Sequence, residues 1–437
     1  MTKQNKITLN MSWDKEVIPA EKKCERSLLI NLKGEGDQKI KKKERPPVNL
    51  ALVIDCSGSM EGAPIEAAKS AAKQITEELT QKDHLSIVSF DHEVETHFSN
   101  VRMDKSGASY AQGVISEIYT RGMTNLSGGW FEGARCATKA IDQGDFNDGF
   151  VVVLSDGMAN RGITDPKELQ MHAAELSSRG IQTTSIGIGA HYSPLQLDAL
   201  AIGGQGRLHD TETAEDIIDV VLGELGEIGN TIARNVKLHI QYPESVELKC
   251  LSKLKGERSG NFYNIHIGNL QLNQTKSVAL LSEIYEQTLG QSVSFEVHVT
   301  WDDMDTNERF ESKVITSSIQ AVSEDEANRA EINTSVVQKI ADLWEASLAY
   351  EAMIFNEQGR FDAASSIYEN NKMSYNQIID SLEDRDKRMD RFKSVHRKVN
   401  APWVGRSKRA SFDMSKKMMM GESSLLKRNT GDWHDDF

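Results

Sequence analysis

The 437-residue chain reads as a doubly wound α/β domain set into an antiparallel β-sandwich and followed by an α-helical hairpin. Three patterns predict this. Between residues 49 and 228, short continuous apolar runs alternate with helix-period segments, the rhythm of a mostly parallel sheet covered by helices on both faces. After residue 234, and again over residues 6 to 33, apolar residues alternate with period two, as in strands with one buried face. From Ser323 onward they recur at spacings of three and four, the stripe of an amphipathic helix.

The N-terminal segment alternates Ile7, Leu9, Met11 and Trp13 with polar residues, and Ser27 to Lys33 predicts a second strand. Two isolated strands cannot bury a core. The α/β domain is therefore expected to be inserted in a sandwich built from both of its flanks. The expected divisions are sandwich strands and a linker at 1–48, the α/β domain at 49–228, the remaining sandwich at 229–322, a helical hairpin at 323–400 and a flexible tail at 401–437. The basic run Lys39 to Arg45, closed by Pro46 and Pro47, reads as a solvated linker.

Within the α/β segment, strands are predicted at 49–55, 85–90, 94–98, 150–155, 182–188 and 206–209. Asp91-His92 sits at a tight hairpin, which makes one edge strand antiparallel. Helices are expected at 64–80, 108–120, 127–142, 166–179, 194–202 and 213–228. Pro166 and Pro194 suit first helical positions, with Asp165 and Ser193 before them as N-caps.

In the sandwich segment Val236, Leu238 and Ile240 alternate with polar residues, as do Val293, Phe295, Val297, Val299 and Trp301, with shorter runs near 246–251, 275–283 and 308–316. Ser323-Glu-Asp-Glu326 is a capping box, predicting one long helix through Ile332, Val336, Ile340, Leu343, Ser347, Tyr350 and Ile354 up to Gly359. Phe361 to Leu382 is the second helix of the hairpin, and Arg385 to Lys398 extends it. In the tail, Lys408 and Arg409 before Ser411 make a basophilic kinase-type motif, and the chain ends on an acidic stretch, Asp432 to Phe437.

The formal net charge of −14 argues against general binding to nucleic acid or anionic membrane. Cys24, Cys56, Cys136 and Cys250 are scattered, with neither zinc-knuckle nor disulfide-framework spacing. The N-terminus has no apolar stretch of signal-peptide length and no segment approaches a membrane span, so a cytoplasmic protein is expected.

The chemistry concentrates at Asn49 to Met60. An apolar strand ends there in a turn with Asp55, Ser57 and Ser59 at alternate positions. In an open α/β sheet ligands bind outside the strand carboxyl ends, and hard oxygen donors suit Mg2+ or Mn2+ rather than zinc or copper. Thr124 lies in a Gly-rich loop before a helix, and Asp156 ends the apolar run Phe150 to Leu154. This combination resembles the von Willebrand factor A domain, a Rossmann-like fold, and its metal-ion-dependent adhesion site. The matching positions are Asp-x-Ser-x-Ser at Asp55, Ser57 and Ser59, Thr124 with Leu126, and Asp156 with Gly157. The resemblance implies that Asp55, Ser57, Ser59, Thr124 and Asp156 surround one Mg2+ or Mn2+, leaving a position for an Asp or Glu of a partner protein. It also implies a stand-alone bacterial type and a binding module rather than an enzyme. Resembling stand-alone proteins act with an AAA+ ATPase or a kinase–phosphatase pair, and those are the partner classes the resemblance suggests.

Two other readings compete: a self-assembling scaffold whose metal only stabilises the turn, and a Mg2+-dependent phosphohydrolase. The second lacks support from motifs. Ser57 stands where a dehalogenase-type phosphatase would place its second acid, and neither a phosphate-binding loop nor a G-x-S-x-G elbow is present. His84, His92, His172, His191 and His209 fall within the domain, and each reads as a surface or core residue rather than a base.

Overall fold

The computed structural model describes residues 6–35, 46–189, 192–228, 230–252, 254–303 and 308–403, together with 411 and 415. The Lys39–Arg45 run, His191, Lys408, Arg409 and the acidic terminus lie outside the described residues. The chain forms two compact units, one spanning Lys43–Asn230 and the other combining Met1–Lys42 with Thr231–Phe437.

The second of these opens with β1 (Ile7–Trp13), β2 (Val17–Pro19) and β3 (Cys24–Gly34). The α/β unit then runs β4 (Asn49–Asp55), α1 (Ala63–Glu78), β5 (His84–Phe90), β6 (Val94–Arg102), α2 (Lys105–Glu117), α3 (Leu126–Asp142) and β7 (Gly149–Ser155). It continues through α4 (Pro166–Ser178), β8 (Ile181–Ile188), α5 (Pro194–Gly203), β9 (Gln205–Thr211) and α6 (Ala214–Ile228). Its sheet has the order β6-β5-β4-β7-β8-β9, parallel except for β6, which returns antiparallel from β5.

Every residue of β4 is buried. Leu50, Leu52 and Ile54 share a core with α1, α2 and α6, while α3 packs against β4, β5 and β7. Covering both faces is what makes β4 a continuous apolar run rather than an alternating one. The approach of α3 is close because two positions lack a side chain. A methyl at Gly133 would lie 2.3 Å from Val53 Cγ2, and one at Gly129 would meet the Phe90 ring at 2.4 Å.

Helix starts follow their caps. Asp165 accepts a hydrogen bond from Glu168 N with Pro166 at the first position. Helix α2 begins at Lys105, earlier than the expected residue 108, because Asp104 accepts bonds from Ser106 N and Gly107 N. Ser193 stands at the N-cap of α5, but its hydroxyl makes no capping bond.

After the α/β unit the chain supplies β10 (Thr231–Gln241), β11 (Val246–Cys250), β12 (Gly256–Ser259), β13 (Phe262–Gln271), β14 (Thr275–Ile284), β15 (Ser292–Asp303), β16 (Arg309–Glu311) and β17 (Ile315–Val322). One sheet has the order β1-β3-β14-β11, the other β12-β13-β10-β15-β17-β2 with β16 beside β15. Leu28, Ile30 and Leu280 of the first meet Leu238, Ile240, Phe295 and Val297 of the second in one apolar core. The N-terminal strands thus serve both sheets: β1 and β3 enter the first, and β2 pairs in parallel with β17 in the second. Trp13 joins the layers, its ring 4.9 Å from Phe295 and its indole N–H donating to Ser317 Oγ at 2.9 Å.

The helical segment departs from a two-helix hairpin. The expected single long helix is broken into α7 (Glu324–Arg329) and α8 (Thr334–Glu357), each with its own cap. Ser323 Oγ accepts from Glu326 N, and Asn333 Oδ1 accepts from Val336 N. Helix α9 (Phe361–Ile379) is followed by α10 (Arg385–Val399), which packs back on both α8 and α9. The reason is a buried ion network: Arg388 bonds Asp342 and Asp384, and Arg391 grips both oxygens of Glu345, which also accepts from Tyr375 Oη. In the expected tail Trp403, Ser411 and Ser415 are buried, so the chain is not free at those three positions.

The absence of a side chain at Gly133 is predicted to be a packing requirement. Gly133→Ala should lower the stability of the α/β unit by about 1 to 3 kcal/mol in urea unfolding, and an unchanged midpoint would refute the close approach.

Candidate metal centre

Strand β4 delivers Asp55 to the carboxyl edge of the sheet, and the chain turns at once through a single 3-10 turn at Gly58–Met60. Asp55 is fully buried. Its carboxylate accepts from Ser57 N at 2.8 Å and from Ser155 Oγ at 2.5 Å. Neither partner carries charge. Burial pushes the Asp55 carboxyl up to about 6, against the pull of the Ser155 and Ser57 hydrogen bonds, and the neighbouring Asp156 adds to the rise.

The other expected donors gather at the same point. Ser59 Oγ donates to Asp156 Oδ1 at 2.7 Å and lies 3.1 Å from Ser57 Oγ. A methyl on Gly157 would sit 3.1 Å from Ser59 Oγ, 3.4 Å from Thr124 Oγ1 and 3.7 Å from Asp55 Oδ2. Oxygens from three separate loops thus converge on a space kept open by a glycine. All five predicted residues belong to this cluster. The donor set is two carboxylates and three hydroxyls, rather than three or more His, Cys, Asp or Glu side chains among the described residues.

Main-chain bonds hold the three loops to one another. Arg121 N donates to Cys56 O, and Gly58 N donates to Gly122 O, tying the Thr124 loop to the Asp55 turn. Asn160 N and Arg161 N donate to Thr124 O, while Thr124 N donates to Asn160 Oδ1, tying the same loop to the one after Asp156. Asp91, at the end of β5, anchors it from behind: its carboxylate accepts from Gly122 N and its carbonyl from Asn125 N.

Asp91 is the counterpart of Asp55. Burial would push its carboxyl up, but hydrogen bonds from Glu93 and His92, with the Arg121 guanidinium nearby, hold it below the usual carboxylate range. Among the described residues, one buried aspartate has a cationic neighbour and the other has uncharged partners.

Sequence patterns alone leave Asp91, Ser155 and Asn160 outside the site. Ser155 carries a signal, since it immediately precedes Asp156 at the end of β7. Asp91 and Asn160 carry none, because their roles depend on loops that meet only in the fold. Cys56 is buried, with Sγ donating to Phe90 O, and does not face the donors' space as a ligand. Of the domain's histidines, His92 and His209 engage neighbouring carboxylates, of Asp91 and Glu224.

The donor set fits a hard divalent cation. A hydroxyl that gives its proton to a carboxylate, as Ser59 does to Asp156, keeps its lone pairs free for an ion. A dication would also supply the positive charge that Asp55 lacks.

Sheet order and helix placement together define a class of domain, the doubly wound α/β domain with an antiparallel edge strand. Residues 49–220 match the family model of the von Willebrand factor type A domain, and this chain carries such a domain. It is 27% identical over 270 residues to an uncharacterized protein of Synechocystis sp., covering 59% of this chain and 62% of that protein. Inter-alpha-trypsin inhibitor heavy chain H3 of Homo sapiens is 26% identical over 206 residues, covering 46% of this chain and 23% of that protein. The chain thus spans less than two thirds of the length of these relatives.

Among solved structures, a von Willebrand factor type A protein from Catenulispora acidiphila superposes with a TM-score of 0.66 at 15% identity, covering 94% of this chain and 96% of that one. The ArnB paralog VWA2 from Sulfolobus acidocaldarius gives 0.52 at 14% identity, covering 95% and 98%. Both are likenesses of fold.

A pH dependence follows from Asp55. Its folded-state pKa of about 6 lies above the ordinary 3.8, so the stability it contributes is fully present below about pH 4 and lost as pH rises through 6. By about pH 7.5 the loss is on the order of 3 kcal/mol without divalent ions. In EDTA, Asp55→Asn should therefore be more stable than wild type near pH 7.5 and lose most of that advantage by about pH 4.5. Thermal melts across this range check it, and a difference independent of pH refutes it.

Proposed function

We propose that this protein is a divalent-metal-dependent protein-binding adaptor. Asp55, Ser57, Ser59, Thr124 and Asp156 hold one Mg2+ or Mn2+, and a partner protein supplies an Asp or Glu to the ion. The observation that carries this reading is the convergence of Ser59, Thr124 and Asp55 on the space beside Gly157, next to a buried carboxylate with only uncharged partners. Three of the five side chains are neutral hydroxyls, which compensate a dication's charge poorly and leave it electrophilic. The ion therefore favours an anionic further ligand. The match of residues 49–220 to the von Willebrand factor type A domain model supports the class of role.

No helix among the described residues is long and apolar enough to cross a membrane. The reading places the adaptor in the cytoplasm.

Calorimetric titration of divalent-free protein with Mg2+ and with Mn2+ should show one ion per chain. Asp55→Ala should abolish the heat, and Gly157→Ala, whose methyl enters the donors' space, should weaken binding at least about tenfold. Mg2+ binding that survives Asp55→Ala overturns the assignment. Phosphatase and ATPase assays with Mg2+ should stay at background, and turnover lost in Asp55→Ala would replace the adaptor with an enzyme.

A further inference from the structure

The loops that hold the donors also shape what surrounds them. Six large apolar side chains of the α/β unit are exposed among the described residues: Tyr110, Tyr119, Met123, Phe131, Met158 and Met171. Three of the six lie on the two loops that carry Thr124 and Asp156. Met123 immediately precedes Thr124 and is 42% exposed, Met158 is two residues past Asp156 and 62% exposed, and Tyr119 opens the Thr124 loop at 67%. Scattered apolar residues on a surface need no explanation, but three exposed on the two loops that carry site residues point to an interaction surface.

The backbone beneath these side chains is pinned. Gly122 N bonds Asp91, Thr124 is clamped by Asn160 on both its N–H and its carbonyl, and Ala159 N bonds Gln196 Oε1. Rigid loops thus present flexible, polarisable thioethers, a combination that adapts to varied apolar partners at little ordering cost.

Charge at the rim selects against a polyacidic ligand. Arg121 lies 5.6 Å from the Tyr119 ring but is already paired with Glu95 and Asp91. Glu61 on the Ser59 turn and Arg161 on the Asp156 loop are both exposed and of opposite sign. The rim therefore offers no net basic field for further carboxylates.

We propose that the partner segment carries a single carboxylate flanked by bulky apolar side chains, the acid entering the metal site and the flanks packing on Met123, Met158 and Tyr119. This rests on the metal-dependent reading above.

The test pans a displayed library of random dodecapeptides on the full chain in Mg2+ and elutes with EDTA. Enriched peptides should share one Asp or Glu with Leu, Ile, Phe, Met or Trp within three positions. Met123→Ser combined with Met158→Ser should weaken a selected synthetic peptide roughly tenfold while the calorimetric Mg2+ affinity stays unchanged. Enrichment of acidic runs, of acids without apolar neighbours, or undiminished peptide binding by the double variant overturns the apolar collar and leaves the metal reading standing. Peptides retained through EDTA, an absence of enrichment, or failure to bind Mg2+ overturn the metal reading and the collar with it.

Discussion

A buried carboxylate with no cationic side chain beside it among the described residues is the constraint around which the α/β unit is arranged. Asp55 ends a strand with helices packed over both faces, so water cannot solvate its charge, and its partners among the described residues are the uncharged Ser155 and Ser57. Such a group is tolerable when protonated or when an outside positive charge arrives. A strand with one exposed face would have left the same aspartate wet and ordinary. The depth of the sheet is what turns a turn residue into a site.

The neighbouring strand end shows the alternative. Asp91 is likewise closed to solvent, yet it is surrounded by N–H donors and the Arg121 guanidinium, and it works as a fastener for the Thr124 loop. Adjacent strand ends thus divide the labour: one carboxylate is fully committed to structure, and that commitment holds the loop whose hydroxyl faces the other. Most ties between the loops are main-chain bonds, so the donors' positions depend little on surface rotamers.

The second unit solves a different problem. Its sheets share an apolar core, while β3 also buries residues on its outer side, where α8 lies against β3 and β14. That double burial explains why Ser27 to Ile30 is continuously buried although β1 alternates. The ion network of Arg388, Arg391, Asp342 and Glu345 then sets how α10 lies on α8. Breaking one partner of such a buried network would leave an uncompensated charge.

Much of this was legible from residue order alone. The parallel strands announced themselves as continuous apolar runs, the sandwich by its period of two, and the five oxygen-bearing residues by their resemblance to the von Willebrand factor A pattern. Short strands such as β12, exposed along its length, carry no apolar signature, and the break between α7 and α8 lay hidden inside an uninterrupted stripe. Asp91, Asn160 and the apolar collar escaped because their meaning comes from which loops meet. Local sequence determined which segments were strands or helices and which oxygens stood at strand ends, since those depend on periodicity and neighbouring residues. Only the tertiary structure decided that three loops share one space, that Asp55 has no cationic partner among the described residues and that Met123 and Met158 are exposed on those loops. Those are properties of chain segments up to a hundred residues apart, from Asp55 to Ser155, and only packing brings them together.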